Sequence, residues 1–243
     1  MKLSHTVIIH ILANHKPANC QLNYPESKAL ELSDFKDMDY YAVQNFHLPI
    51  ELMMENAGLQ LANLIARSTR LNQIIKIGVG NGNNGGGGLV TARRLSGWGY
   101  SVYLDLLTDI SKDLPKIQLE RAISFGAKVS SPDVFDVWVD AYLGFSQRLP
   151  LQDVLLERLK EANNSDALKV SLDIPTGFMG ESSAIYFQCD KVLTLAALKK
   201  ILYHLPKSTE IYIADIGIPA AVYKKLELDP FPFNTNNVLK LLR

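Results

Sequence analysis

The chain has 243 residues, 47% of them hydrophobic, with 25 Lys and Arg balanced against 25 Asp and Glu. This length is enough for one large α/β core, and the zero net charge gives the chain as a whole no electrostatic reason to bind nucleic acid or an anionic membrane. The two cysteines, Cys20 and Cys189, lie far apart and outside any ligand-spaced motif; they read as free thiols of a reducing compartment, with a single disulfide as the alternative, and no apolar run approaches the roughly 20 residues of a membrane helix, which together imply a cytoplasmic location.

Residues 1–30 read as a poorly defined extension, and residues 31–243 as one domain. Lys2 and the stretch Thr6–Ala13 have a faint look of a secretion signal, but the run is short and His10 interrupts it. An extra edge strand over Val7–Leu12 or a loosely held tail is the plainer reading. Asn14–Lys28, with Pro17 and Pro25, reads as a loop. Ser33 can cap a helix in which Phe35, Met38, Tyr41 and Ala42 share a face. Pro49 opens a second helix with Ile50, Met53, Met54, Ala57, Leu61 and Ile65 as its apolar stripe, the methionines being core filling. Strands then alternate with helices: strands at 74–79, 100–106, 137–140, 168–172, 191–195 and 210–214, helices at 89–98, 113–125, 151–162 and 219–226. Such alternation predicts a mostly parallel sheet with helices on both faces, a three-layer α/β/α sandwich.

In open parallel sheets ligands bind beyond the carboxyl ends of the strands. The segments at those ends are polar or flexible here: Gly80–Gly88 after the first strand, Asp140–Gly144 after the third and Asp173–Gly177 after the fourth. Gly80, Gly82 and Gly85 match G-x-G-x-x-G between a strand and a helix, with Asp105 about 20 residues on, as in dinucleotide-binding turns. The plain alternative is a tight strand–helix turn, yet six glycines between 80 and 88 exceed what a turn needs. Asp140 and Asp173 can accept hydrogen bonds from a sugar, hold a cation or transfer protons; the alternative for each is capping its own loop. Asn84, Asp140 and Thr176 offer only oxygen ligands, which suit a monovalent or alkaline-earth cation. No G-x-S-x-G or Ser/His/Asp order points to a hydrolase nucleophile.

Several ordered motifs resemble those of the YjeF N-terminal domain family, the NAD(P)H-hydrate epimerases. Leu52-Met53-Met54-Glu55-Asn56-Ala57-Gly58 is similar to L-M-E-N-A-G with one extra Met, and Val79–Val90 to V-G-x-G-N-N-G-G-D-G-L-V. Ala92-Arg93-Arg94-Leu95, Val139-Asp140-Ala141 with Gly144, Ser171–Gly177, Thr194–Lys199 and Asp215–Pro219 resemble A-R-x-L, V-D-A-x-x-G, S-x-D-I-P-S-G, T-x-x-x-x-K and D-I-G-I-P. The resemblance runs from about Ser33 to Pro219 and implies a Rossmann-like domain that interconverts the R and S forms of hydrated NADH or NADPH at C6 of the nicotinamide ring. NAD(P)HX is then substrate, not cofactor. Carried over by position, Asn83, Asn84, Gly85, Gly86, Gly87, Gly144, Phe145, Ser146, Gln147, Arg148, Leu149, Pro150 and Asp173 line the substrate. Asn84, Asp140 and Thr176 hold a potassium ion, and Asp173 is the first candidate for catalysis.

The resemblance also implies a homodimer. The family's dehydratase domain has no counterpart in these residues, so a separate NAD(P)HX dehydratase finishes the repair. The departure is Gly87, where the family carries Asp in G-G-D-G. Losing an acid–base group there lowers activity by about 10²–10⁴-fold. The second reading is accordingly a non-catalytic relative that binds a nucleotide-like ligand or a protein. A third, an NAD-dependent dehydrogenase, uses only G-x-G-x-x-G and Asp105 and leaves the other motifs unexplained.

Overall fold

Uninterrupted aliphatic runs form strands that are buried on both faces, and the sequence holds six of them. In the computed structural model, which describes residues 21–181, 183–234 and 236–243, these runs are β2 (Ile74–Val79), β3 (Ser101–Leu106), β5 (Val137–Ala141), β6 (Leu168–Leu172), β7 (Lys191–Leu195) and β8 (Glu210–Ala214). Three short strands were not expected: β1 (Gln21–Leu22), β4 (Lys128–Val129) and β9 (Val238–Leu241). The sheet order is β1-β9-β8-β7-β6-β5-β2-β3-β4, parallel throughout except between β8 and β9. The chain is an α/β protein built on a mostly parallel nine-stranded sheet.

The helices are α1 (Leu32–Phe46), α2 (Ile50–Ser68), α3 (Asn83–Gly97), α4 (Asp113–Ser124), α5 (Asp153–Asn163) and α6 (Ala220–Lys225). Two cores separate them. Leu61 and Ile65 of α2, Leu89 and Leu95 of α3 and Ala122 of α4 pack on Ile75, Ile77 and Val79 of one sheet face. Phe35 and Met38 of α1, Leu155 and Leu159 of α5 and Val222 of α6 pack with Trp138, Val192 and Ile211 of the other. Alternation along each strand sends successive side chains to opposite cores, giving the three layers.

Some expectations are corrected. Ser33 does not cap α1; the helix starts at Leu32 behind Glu31, and the Ser33 hydroxyl donates to Asp34 at 3.1 Å. The loop over 14–28 is interrupted, in its described part, by β1 and a 3₁₀ turn at Glu26–Lys28. β1 pairs with β9, and Leu30 bridges to Lys199. The expected strand at 7–12, the signal-like stretch and Cys20 lie outside the described residues. The largest correction is α3, which begins at Asn83 and not at Leu89. Glycine in a helix costs about 1 kcal/mol against Ala, so propensity argues for a loop over Gly85–Gly88. Packing overrides it. A Cβ on Gly85 would lie 1.8 Å from the Gly80 carbonyl oxygen, and one on Gly88 2.5 Å from the Ala141 Cβ. Only glycines let this helix lie so close to the loop and the sheet.

Candidate functional site

β2 starts in mid-sheet. The chain goes to β3 and β4 on one side, then crosses to β5, β6, β7 and β8 on the other. The strand order thus reverses between β2 and β5, and a crevice opens beyond the carboxyl ends of such a pair. A cleft of about 760 Å³ lies there, lined from α1, α2, the start of α3, the segments that follow β5 and β6, Leu195 at the end of β7 and Ile216 after β8. Register sets its floor: Gly78 and Val79 of β2 stand beside Asp140 and Ala141 of β5.

Many residues singled out by sequence meet at this cleft. Asn83, Asn84, Gly87, Gly144, Phe145, Ser146, Gln147, Arg148 and Asp173 line it. Gly85 and Gly86 lie buried behind that surface, against Gly80 and the Met54 side chain. Leu149 is exposed and precedes a cis peptide to Pro150; neither lines the cleft. Gln147 bridges two loops, donating to the Phe178 carbonyl at 3.1 Å and accepting from the Gly177 N–H at 2.7 Å. No side chain caps α3 behind Gly82, so its first-turn N–H groups are free to receive an anionic group. Asn81 accepts from the backbone N–H groups of Ser111 and Lys112, which brings Lys112 to the rim.

Asp140 and Thr176 lie beneath the cleft, fully buried. Asp140 accepts from the Thr176 hydroxyl at 2.6 Å, the Thr176 N–H at 2.8 Å and the Ser171 hydroxyl at 2.9 Å. Burial pushes its carboxyl up to about 6, against these hydrogen bonds. Leu143 ties the set together: its N–H donates to the Thr176 hydroxyl at 3.1 Å, and its carbonyl accepts from the Asn84 amide at 2.7 Å. Asn84, Asp140 and Thr176 thus gather around one backbone unit, with one carboxylate among neutral oxygens. That donor chemistry fits a weakly charged hard cation.

Asp173 follows β6 in the left-handed region, at φ 71°. Such a non-glycine conformation costs of order 1–3 kcal/mol and persists where the surroundings hold it. Here both carboxylate oxygens are held. One accepts from Lys199 Nζ at 2.6 Å, the other from the Phe145 N–H at 2.9 Å. Lys199 is fully buried, donates also to the Thr194 hydroxyl at 2.9 Å and lies 3.5 Å over the Phe35 ring. Burial lowers its pKa, opposed chiefly by Asp173.

Asp105 is not at the cleft. Its carboxylate accepts from the Tyr142 hydroxyl at 2.7 Å and pairs with Arg158 of α5 at 3.1 Å and with buried Lys76 at 3.9 Å. All three partners meet Oδ2, and the residue lies away from the cleft, so the geometry gives the dinucleotide reading of that residue no support. Glu55 clamps Arg93, Arg94 and Gln118, tying α2 to α3 and α4, and Asn56 donates to the Ile216 carbonyl. Met53 and Met54 are buried and also line the cleft, beyond core filling.

Two functional groups escaped the sequence reading. Lys199 stood only as the end of T-x-x-x-x-K, five residues after the Thr194 it binds. Asp39 had one available signal: it lies four residues after Phe35 and four before Val43, an acid on the apolar face of α1. Its Oδ1 is buried with no hydrogen-bond partner. Burial raises its carboxyl to about 6, with Lys199 lowering and Asp173 raising it further.

Comparison with known proteins gives consistent matches. Residues 50–201 match the family described as YjeF-related protein N-terminus. An NAD(P)H-hydrate epimerase of Rhodopirellula baltica is 30% identical over 210 residues, covering 79% of this chain and 86% of that one. The NAD(P)H-hydrate epimerase of Anopheles darlingi is 30% identical and covers 88% and 99%. A bifunctional NAD(P)H-hydrate repair enzyme Nnr of Thermofilum pendens is 30% identical over 84% of this chain, which spans only 44% of that relative. The crystal structure of yeast ynu0, YNL200c, superposes with a TM-score of 0.79 over 88% of this chain and 100% of that one, at 24% identity. That last likeness concerns the fold.

Proposed function

The chain belongs to the family of the YjeF-related protein N-terminus, and from that premise we propose that it is an NAD(P)H-hydrate epimerase, an isomerase that interconverts R- and S-NAD(P)HX in nicotinamide nucleotide repair. The observation that carries the reading is the cleft at the β2/β5 reversal, where Asp173 is held by Lys199 and by the Phe145 N–H. In the substrate, N1 of the hydrated ring expels the C6 hydroxyl as water, leaving a cationic ring, and water returns to either face. The protein must protonate the leaving hydroxyl, stabilise the cation and deprotonate the returning water. Asp173 places a fixed carboxylate in the cleft for the last two tasks. Asn83, Asn84, Gly144, Phe145, Ser146 and Arg148 provide the surrounding walls.

Asn84, Asp140 and Thr176 are the residues that would hold a potassium ion. Bound there, the ion supplies positive charge that offsets the buried Asp140 carboxylate. Asn84 and Thr176 orient the Leu143 backbone, and through it the cleft wall at Gly144 and Phe145. The reading includes a cytoplasmic homodimer, one domain over residues 31–243 and a separate NAD(P)HX dehydratase downstream.

A second reading, a non-catalytic relative, draws on one observation. Gly87 lines the cleft without a side chain, and a Cβ there would lie 2.9 Å from Leu172 Cδ2. Relief of that contact needs only a shift of the Leu172 side-chain end, so the position can accept a side chain but supplies none to the cleft. Conversion of purified R-NADHX to the S form in potassium buffer, corrected for the spontaneous rate, separates the two. Turnover supports the epimerase; ligand binding without turnover supports the relative.

A further inference from the structure

We propose that Asp39 of α1 is the general acid of this cleft, protonating the C6 hydroxyl of the hydrated ring and so doing the proton-transfer work for which Gly87 has no side chain. The inference rests on the epimerase reading above and assigns a role to a residue outside every motif used to reach it.

The cleft contains two carboxylates, Asp39 and Asp173, and their surroundings differ. Both oxygens of Asp173 are engaged, one by the Lys199 ammonium, so it stands as a fixed carboxylate. Asp39 Oδ1 is buried and has no hydrogen-bond partner. Sealed from water and without a partner, Oδ1 disfavours the charged form of the carboxyl, while the residue as a whole is only half-buried and lines the ligand-sized cleft, so a ligand there meets the Asp39 side chain directly. Burial holds the Asp39 carboxyl near 6, so that it carries a proton in a useful fraction of molecules at neutral pH. The ion-paired Asp173 and the unpaired Asp39 can therefore take separate roles in the cleft, one as proton acceptor and one as proton donor. The charged groups that bear on Asp39 are Asp173 of the cleft wall and Lys199 buried behind it, and Lys36 of its own helix, Lys112 and Arg148 also line the cleft.

The step balances. The Asp39 carboxyl gives its proton to the C6 hydroxyl oxygen. The C6–O bond breaks with its electron pair leaving as water, and the N1 lone pair becomes the N1=C6 bond. Water adds to C6 from the opposite face, the N1=C6 pair returns to N1, and Asp173 accepts the proton this water sheds. The proton then passes back to Asp39 through cleft water, and no other reactant is consumed.

The test compares the natural protein with Asp39→Asn and Asp39→Glu, measuring R-to-S epimerisation kinetics from about pH 5 to about pH 8 together with Tm. For Asp39→Asn we expect kcat to fall about 10²–10⁴-fold with KM little changed and Tm equal or higher, because the amide removes a desolvated acid. Asp39→Glu should recover part of kcat. The natural protein's kcat should decline above about pH 6, and Asp39→Asn should lack that decline. A natural protein without turnover overturns the epimerase reading and this role with it. A natural protein that turns over while Asp39→Asn keeps its kcat and pH profile overturns this role alone. If Asp39→Asn has a lowered Tm or fails to fold, the outcome rests with Asp39→Glu: a partly lowered kcat with the pH decline kept supports the proposal, and a kcat unaffected by the displaced carboxyl overturns it.

Discussion

Asp39, Asp173 and Lys199 form a set in which one buried ammonium serves two carboxylates. Lys199 and Asp173 are almost wholly removed from water, with side-chain exposures of 0% and 3%. Removing one partner of such a pair strands the other charge, which costs about 3–5 kcal/mol. Lys199→Met is therefore expected to lower the urea-unfolding free energy by about that amount, whereas the same change at exposed Lys28, ion-paired to Asp229, should leave stability nearly unchanged. Asp39 works in the opposite direction. Its pKa is raised on folding from 3.8 to about 6, so the folded state binds that proton more tightly. Its penalty is absent below the unfolded value, grows as pH rises through the interval and is complete above the folded value. The stability gain of Asp39→Asn should therefore be larger at about pH 7.5 than at about pH 4, as measured by paired denaturation curves. Equal gains at both would contradict the burial argument.

At the scale of elements, α3 is where local preference and tertiary packing disagree. Gly88→Ala improves helix propensity by about 1 kcal/mol but drives a methyl to 2.5 Å from the Ala141 Cβ. Overpacking of this kind costs about 1–3 kcal/mol, so the variant should be less stable than the natural protein by chemical denaturation. A more stable variant would mean that α3 and β5 can separate freely. The same conflict explains how much could be read beforehand. β6, β7 and β8 were legible to the residue because buried parallel strands are continuous apolar runs. β4 has only two residues, both exposed, and β9 alternates half-buried with buried positions, so neither carries that signal. The start of α3 was hidden because propensity sees four glycines and not the sheet behind them. At the site, loops that follow strands were readable from topology alone. Asp39 was not, because its importance comes from Lys199, which is 160 residues away in sequence and which the fold places beside it.

For the molecule as a whole, the reversal of strand order between β2 and β5 concentrates function at one end of the sheet, while the β9/β8 pairing closes the far side. No helix among the described residues is long and apolar enough to cross a membrane. A bound potassium ion would stabilise the fold by mass action, about 1.4 kcal/mol at ten times its Kd. Tm should accordingly be higher in potassium chloride than in tetramethylammonium chloride at equal ionic strength, and Asp140→Asn should abolish the difference. A homodimer predicts a gel-filtration mass near twice 27.1 kDa, and the mass of one chain would contradict it. The central claim, that this cleft epimerises hydrated nicotinamide nucleotides despite Gly87, is tested most directly by following purified R-NADHX in potassium buffer with the natural protein beside Gly87→Asp. The account predicts turnover by the natural protein, with Asp39 and Asp173 sufficient for proton transfer. An inert natural protein beside an active Gly87→Asp variant would contradict it, and would identify the chain as a binding relative whose cleft has lost its acid–base group.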